Sequence, residues 1–190
     1  MAETIRAFIA IPLPDAVRER IAGLQRELRR SALNIRWVPP GNIHLTLKFL
    51  GAIDARQIDA VAERMAAVAG MQAPFSLALS GVGVFPDIRR ARVLWVGAAG
   101  DAERLPAVQA ALETALETLG MAREKRRFRA HLTIGRPRQP VDGRRLAQML
   151  GGLDTVQSLP FRVSQLRLYK SDLNPGGAVY TCLHTAHLVD

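Results

Sequence analysis

The chain has 190 residues, 48% of them hydrophobic, with 26 lysines and arginines against 17 acidic residues and a formal charge of +9. It can bury a core without a disulfide or a metal and is too apolar to be disordered. No apolar run nears the about 20 residues of a membrane span, no signal pattern surrounds the short run Ala7 to Leu13, and the one cysteine, Cys182, cannot form an internal disulfide. These properties predict one globular unit over residues 1–190, monomeric and cytoplasmic, with Cys182 as a buried, inert thiol. Lys48, Lys125 and Lys170 are the only lysines, so arginine carries the positive charge. Guanidinium forks in that excess point to phosphate groups or nucleic acid as partners.

In chain order, Ile5 to Ile11 reads as a strand closed by Pro12 and Pro14. Val17, Ile21, Leu24 and Leu28 fall at helical spacing between Asp15 and about Arg30. A short strand at Ile35 to Val38 and a turn at Pro39 to Asn42 lead to a strand from Ile43 to Leu50, ending at Gly51. Asp54, with Gln57 three residues on, caps a second helix carrying Ile58, Val61, Met65 and Val68. Phe75, Leu77 and Leu79 alternate with small residues in a strand that runs on to Val84, and Val93 to Val96 forms another. A helix spans Asp101 to Leu119 and stops at Gly120. Arg127 to Gly135 reads as a strand and Val141 to Leu150 as a shorter helix. Two final strands, Phe161 to Tyr169 and Val179 to Leu188, flank a turn at Asn174, Pro175, Gly176 and Gly177. Several links are too short for a crossover, so the pattern predicts an α+β fold with antiparallel pairing.

One phrase is written twice: HLTL at His44 to Leu47 and HLTI at His131 to Ile134. With four histidines and eight threonines in the chain, two such spacings arise in roughly 1% of shuffled sequences. Each phrase follows one helix and precedes another, which suggests an internal duplication. On a strand, His44 and Thr46 share one face while Leu45 and Leu47 take the other, and His131, Thr133, Leu132 and Ile134 repeat the arrangement. Brought together, the strands would offer two imidazoles and two hydroxyls to one cleft. That set suits acid–base attack on a phosphodiester: a neutral imidazole takes a proton, a protonated one returns it, and hydroxyls donate to the phosphoryl oxygens. Arg136, three residues beyond Thr133, would add a full positive charge.

Other readings compete. Two ordinary core strands would also carry such a pattern. A two-histidine zinc site would want carboxylate or thiolate ligands, and neither phrase has one nearby, so no metal is expected. His184 and His187 read as edge-strand or tail residues. Gly81-x-Gly83 is too weak for a nucleotide loop and no GxxxxGK[ST] is present, so no ATP-driven step or other cofactor is expected. Phe8, Trp37, Phe49 and Tyr169 are candidates for base stacking, with none singled out. Arg89, Arg90, Arg92 and the cluster from Arg123 to Arg129 are candidates for a phosphate-tracking surface.

The phrases RAFIAIPLP, RWVPPGNIHLTLKFLG, HLTIGR and LYKSDLNPGGAVYTCL resemble the 2H phosphoesterase superfamily, which is defined by paired HxTx motifs. Within it they look like the RNA 2',3'-cyclic phosphodiesterases also called 2'-5' RNA ligases, from Arg6 to about Leu183. The resemblance implies two lobes with pseudo-two-fold symmetry, each an antiparallel sheet backed by helices, with the histidines facing across a central groove. It implies that water opens an RNA 2',3'-cyclic phosphate to a 2'-phosphate, with tRNA fragments among the substrates and ATP-independent 2'-5' ligation as a secondary activity. His44 would be the general acid, His131 the general base, and Thr46, Thr133 and Arg136 would hold the phosphate. From the residues alone the acid and base labels can be exchanged, since coupled imidazoles titrate as a pair. A non-catalytic RNA or nucleotide binding module of the same fold is the alternative, as is a 2H enzyme for another nucleotide.

Overall fold

The helical spacing of Val17, Ile21, Leu24 and Leu28 builds a helix whose apolar stripe is almost wholly buried, with its arginines and glutamates outward. Asp15 in its first turn and Arg26 and Arg29 in its last complement the helix dipole. This is α1 (Asp15–Arg29) in a computed structural model that describes residues 3–151, 156–175 and 177–189. The other helices are α2 (Ile58–Ala69), α3 (Leu105–Glu117) and α4 (Gly143–Leu150). The strands are β1 (Thr4–Ile11), β2 (Ile35–Trp37), β3 (Leu45–Asp54), β4 (Phe75–Phe85), β5 (Val93–Gly100), β6 (His131–Pro137), β7 (Phe161–Val163), β8 (Gln165–Asn174) and β9 (Gly177–His187).

The strands form one antiparallel sheet in the order β7-β4-β5-β6-β3-β1-β8-β9, with β2 beside the far end of β6. Its two lobes, β3-β1-β8-β9 and β7-β4-β5-β6, meet where β3 and β6 touch, through the single pair Leu45 and Leu132. Each half of the chain lends strands to the other lobe. After β1 and β3 the chain crosses to lay β4 beside β5, and after β5 and β6 it returns to lay β8 beside β1. Buried apolar residues of both lobes and the helices form one contiguous core. The α+β, two-lobed antiparallel expectation therefore holds.

Several local expectations shift, each for a tertiary reason. The stretch Phe161 to Tyr169 is two strands, because the chain leaves β4 after Val163 and joins β1 from Leu168 and its neighbours, turning at Ser164. The β3 strand does not stop at Gly51. That glycine has a φ of 72° and lets the strand pass a bulge and continue to Asp54 beside Thr4. Asp54 caps a single 3-10 turn, and the α-helix proper begins at Ile58. A similar 3-10 turn precedes α3, which gives way to Gly120 at a φ of 79°. Residues 127–130 lie outside the sheet, and pairing on both edges begins near His131. Cys182 is exposed rather than buried, because β9 is the sheet's outer strand. Of the predicted final turn, Gly176 lies outside the described residues.

Candidate active site

The alternation in each motif strand is realised: Leu45, Leu47, Leu132 and Ile134 are buried, while His44, Thr46, His131 and Thr133 are half-buried on the other face. Leu45 pairs with Leu132. Continued by one residue each way, that antiparallel register sets His44 against Thr133 and Thr46 against His131, with the local two-fold axis at the leucine pair. Both imidazoles and both hydroxyls thus occupy neighbouring positions on one face of the sheet. Burying Leu45 and Leu132 to 1% exposure each stabilises this junction by about 1.5–3 kcal/mol per side chain.

The two rings are held in the same way. His44 donates from Nδ1 to the Asn42 carbonyl at 2.8 Å, and His131 donates from Nδ1 to the Arg129 carbonyl at 2.7 Å. A carbonyl can only accept, so each Nδ1 carries the proton and each Nε2 is the free, exchangeable position. Asn42 also donates from Nδ2 to the Ala178 carbonyl at 2.7 Å, which ties the turn before His44 to β9. On the β6 side, Gln25, 3% exposed on the apolar face of α1, donates to the carbonyls of Val38 and Ile134 at 2.8 Å. A buried amide with two acceptors met is a positioning bond between α1 and the second motif strand.

Aromatic rings surround both histidines. Phe8 stacks on His44 at 4.5 Å, Tyr169 lies beyond Phe8, and the edge of Tyr180 meets His44 at 5.3 Å. Phe85 meets His131 edge to face at 5.0 Å and leans on Trp95. Burial in this setting pushes the His44 pKa down to about 4, against a small opposing effect of the Asn42 bond. His131 is also held below its ordinary value, first by burial and further by the Arg136 cation, with the Arg129 bond opposing. Burial thus favours the neutral form of both rings in the free protein.

Arg136 reaches this face through a bulge. Opposite β5, Leu94 pairs with Gly135 and Trp95 with Thr133, so Ile134 is an extra residue and the alternation reverses after it. Ile134 and Gly135 are both buried and Arg136 is turned out on the histidine side, close enough to act on His131 and Tyr180. A Cβ at Gly135 would sit 2.8 Å from the Ile35 methyl group and 3.1 Å from the Trp37 ring, so only glycine lets β2 close here. Arg36 lies directly opposite Arg136. Among the described residues neither arginine has a carboxylate partner and neither motif threonine has its hydroxyl engaged.

The groove thus gathers His44, Thr46, His131, Thr133 and Arg136. His184 and His187 lie exposed on β9. Part of the proposed arginine surface is locally neutralised: Arg90 pairs with Asp87, Arg123 with Glu117 and Arg126 with Glu124. Lys48 pairs with Glu113 of α3, with both side chains buried and Lys48 also donating to the Ala122 carbonyl at 3.0 Å. Sequence reasoning missed this pair. An acid on the apolar face of α3 and a lysine on the motif strand were its available signals.

The LigT-like phosphoesterase family model matches the chain twice, at residues 11–95 and 96–180, once for each motif. The chain belongs to the LigT-like phosphoesterase family. The double match agrees with the exchange of strands between lobes, since each half brings one HxT strand. Two curated relatives are named RNA 2',3'-cyclic phosphodiesterase: one from Methanothermobacter thermautotrophicus, 31% identical over 97% of this chain and 99% of its own, and one from Aquifex aeolicus, 28% identical over 98% of each. The crystal structure of TT0787 from Thermus thermophilus superposes with a TM-score of 0.81 at 26% identity, covering 97% of this chain and 98% of that one. E. coli LigT complexed with 3'-AMP gives 0.76 at 26% identity, covering 99% and 100%.

Proposed function

We propose that this protein hydrolyses the 2',3'-cyclic phosphate end of RNA to a 2'-phosphate, using His44 and His131 as an acid–base pair with no metal in the step. The observation that carries the reading is the matched pair of Nδ1–carbonyl bonds, which leaves two free Nε2 atoms beside two unengaged hydroxyls on one face. Relatives named for this activity over nearly their whole length support it.

In the proposed step His131 Nε2, unprotonated, takes a proton from water as the oxygen bonds to phosphorus. Arg136 suits His131 to that role, because a nearby cation disfavours its imidazolium. The bond from phosphorus to O3' breaks, and His44 Nε2–H protonates O3'. The product is a 2'-phosphate and a 3'-hydroxyl, with His131 charged and His44 neutral until solvent resets them. Thr46 and Thr133 donate to the non-bridging oxygens, and Arg136 balances their charge. His44 acquires its proton together with the anionic substrate, since burial disfavours it in the free protein. With a 5'-hydroxyl of RNA in place of water, the same bonds form and break, and two ends are joined 2'-5' without ATP. The physiological setting we propose is a cytoplasmic monomer acting on RNA ends of this kind, tRNA fragments among them.

The test is incubation with a short RNA ending in a 2',3'-cyclic phosphate, with EDTA and without ATP, reading the product end by mass and phosphatase sensitivity. A 2'-phosphate is expected. A 3'-phosphate, or RNA that binds and is left unchanged, would overturn the reading.

A further inference from the structure

We infer that Arg167 and Arg18 hold an internucleotide phosphate of the RNA, upstream of its cyclic end, a binding site that rests on the function proposed above. Where β1 runs out into α1, beside the turn at Ser164 between β7 and β8, lies a cavity of about 410 Å³. Pro12, Asp15, Arg18, Ser164, Gln165 and Arg167 are among its walls. Among the described residues three buried side-chain polar atoms lack a hydrogen-bond partner, and two of them, the Nε atoms of Arg18 and Arg167, belong to this one cavity. A shielded donor left unpaired is destabilising, so two of them around one hollow mark a place for an acceptor from outside the chain. Arg18 also donates from Nη1 to Asp15 at 2.7 Å. Asp15 is the one acid among the lining residues, against the arginines at 18, 162 and 167, so positive charge is in excess. An anionic phosphodiester oxygen, which can only accept, suits that set.

The strand register connects this cavity to the histidines. Arg167 and Tyr169 share one face of β8, while Leu166 and Leu168 point to the core at 0% exposure. Tyr169 stacks on Phe8 and Phe8 on His44, so Arg167 stands on the face that carries His44. Ala10 of β1 pairs with Thr46 on one side and with Arg167 on the other. Thr46, Ala10 and Arg167 thus form a row across three strands, which sets the backbones of Thr46 and Arg167 two strand spacings, about 9.6 Å, apart. Ile11, the partner of Leu45 beside His44, borders the cavity, as does Pro12 after it. RNA whose cyclic end lies at Thr46 can cross β1 and lay an upstream phosphate against both Nε donors. A mononucleotide has no phosphate to place there. The site therefore favours an RNA end over a lone cyclic nucleotide, and without choice of sequence, because only the backbone is held.

The experiment compares the parent protein with Arg167→Gln, Arg167→Lys and Arg64→Gln, the last removing the same charge from an exposed position of α2. The substrates are adenosine 2',3'-cyclic phosphate and oligoadenylates of increasing length with the same end. Loss of one hydrogen bond to a charged group supports a rise of about 10-fold in KM. KM of the parent should fall when the length first supplies the held phosphate. Arg167→Gln should lose that advantage on the longer substrates alone, with kcat little changed, Arg167→Lys should recover part of it, and Arg64→Gln should match the parent. An uncharged methylphosphonate at the held position should weaken binding to the parent and leave Arg167→Gln unaffected, which a merely structural role would not produce. Calorimetry with the same molecules ending in a 2'-phosphate repeats the comparison without turnover. A parent protein that turns over no member of the series would count against the proposed reaction, and the binding comparison would still decide the cavity. Equal affinity of the parent for short and long ligands, or an equal effect of Arg167→Gln on both, would overturn the inference.

Discussion

His44 is the group on which the proposed chemistry turns, because its surroundings oppose the proton that it has to donate. With its pKa lowered to about 4, only about one ring in a thousand is protonated at pH 7. Relative to an ordinary histidine, burial disfavours the imidazolium by about 3 kcal/mol. A phosphate anion against Nε2 supplies the opposite charge and reverses that balance. The expected outcome is a His44 titration near 4 in the free protein that moves above 6 when inorganic phosphate or adenosine 2'-phosphate binds. NMR of ¹⁵N-labelled histidine follows it, with His44→Gln assigning the signal. A free-protein value near 6.5, or no rise on binding, would refute the role of burial or of the anion respectively. The same shift makes a stability prediction. The folded value lies below the unfolded one, so from pH 6.5 down to about 4 the unfolded chain takes up the proton. Stability should fall with acid across that window by up to about 3 kcal/mol from this residue, with no contribution above it. Urea unfolding of the parent protein and His44→Gln at pH 7.5 and 4.5 measures the difference.

His44→Ala and His131→Ala should each lower kcat by about 10²- to 10⁴-fold while keeping the fold and most RNA affinity; normal turnover by either variant would contradict the two-histidine mechanism. Because both pKa values are lowered in the free protein, the optimum of kcat/KM should lie below pH 6.5 and that of kcat higher, and coincident optima above pH 7 would argue otherwise. Arg136→Gln should raise KM, reduce the salt dependence of RNA binding and let the His131 pKa rise, since the cation now holds it down. Lys48→Met should cost about 3–5 kcal/mol in urea unfolding by stranding Glu113, and Lys48→Met with Glu113→Leu should recover much of that loss. A double variant as unstable as the single one would show that the pair does more than satisfy itself.

Periodicity and composition made much of this protein legible before any tertiary contact was considered. The repeated HLT phrase placed the histidines and threonines on one face and the leucines on the other, and the helical stripe of α1 was readable to within a residue. Such signals are local, because side-chain direction repeats with a period of two in a strand and 3.6 in a helix. What the sequence did not show depends on which strand lies beside which. The meeting of Leu45 with Leu132, the division at Ser164, the exposure of Cys182 on an outer strand and the burial of Lys48 against Glu113 all follow from long-range pairing. The bulges at Leu47, Leu50 and Ile134 matter most for function. Each reverses the alternation beyond it, and those at Leu47 and Ile134 turn Phe49 and Arg136 to the face that carries the histidines. A bulge is a mismatch in register between two strands, so it exists only once the tertiary structure has brought those strands together.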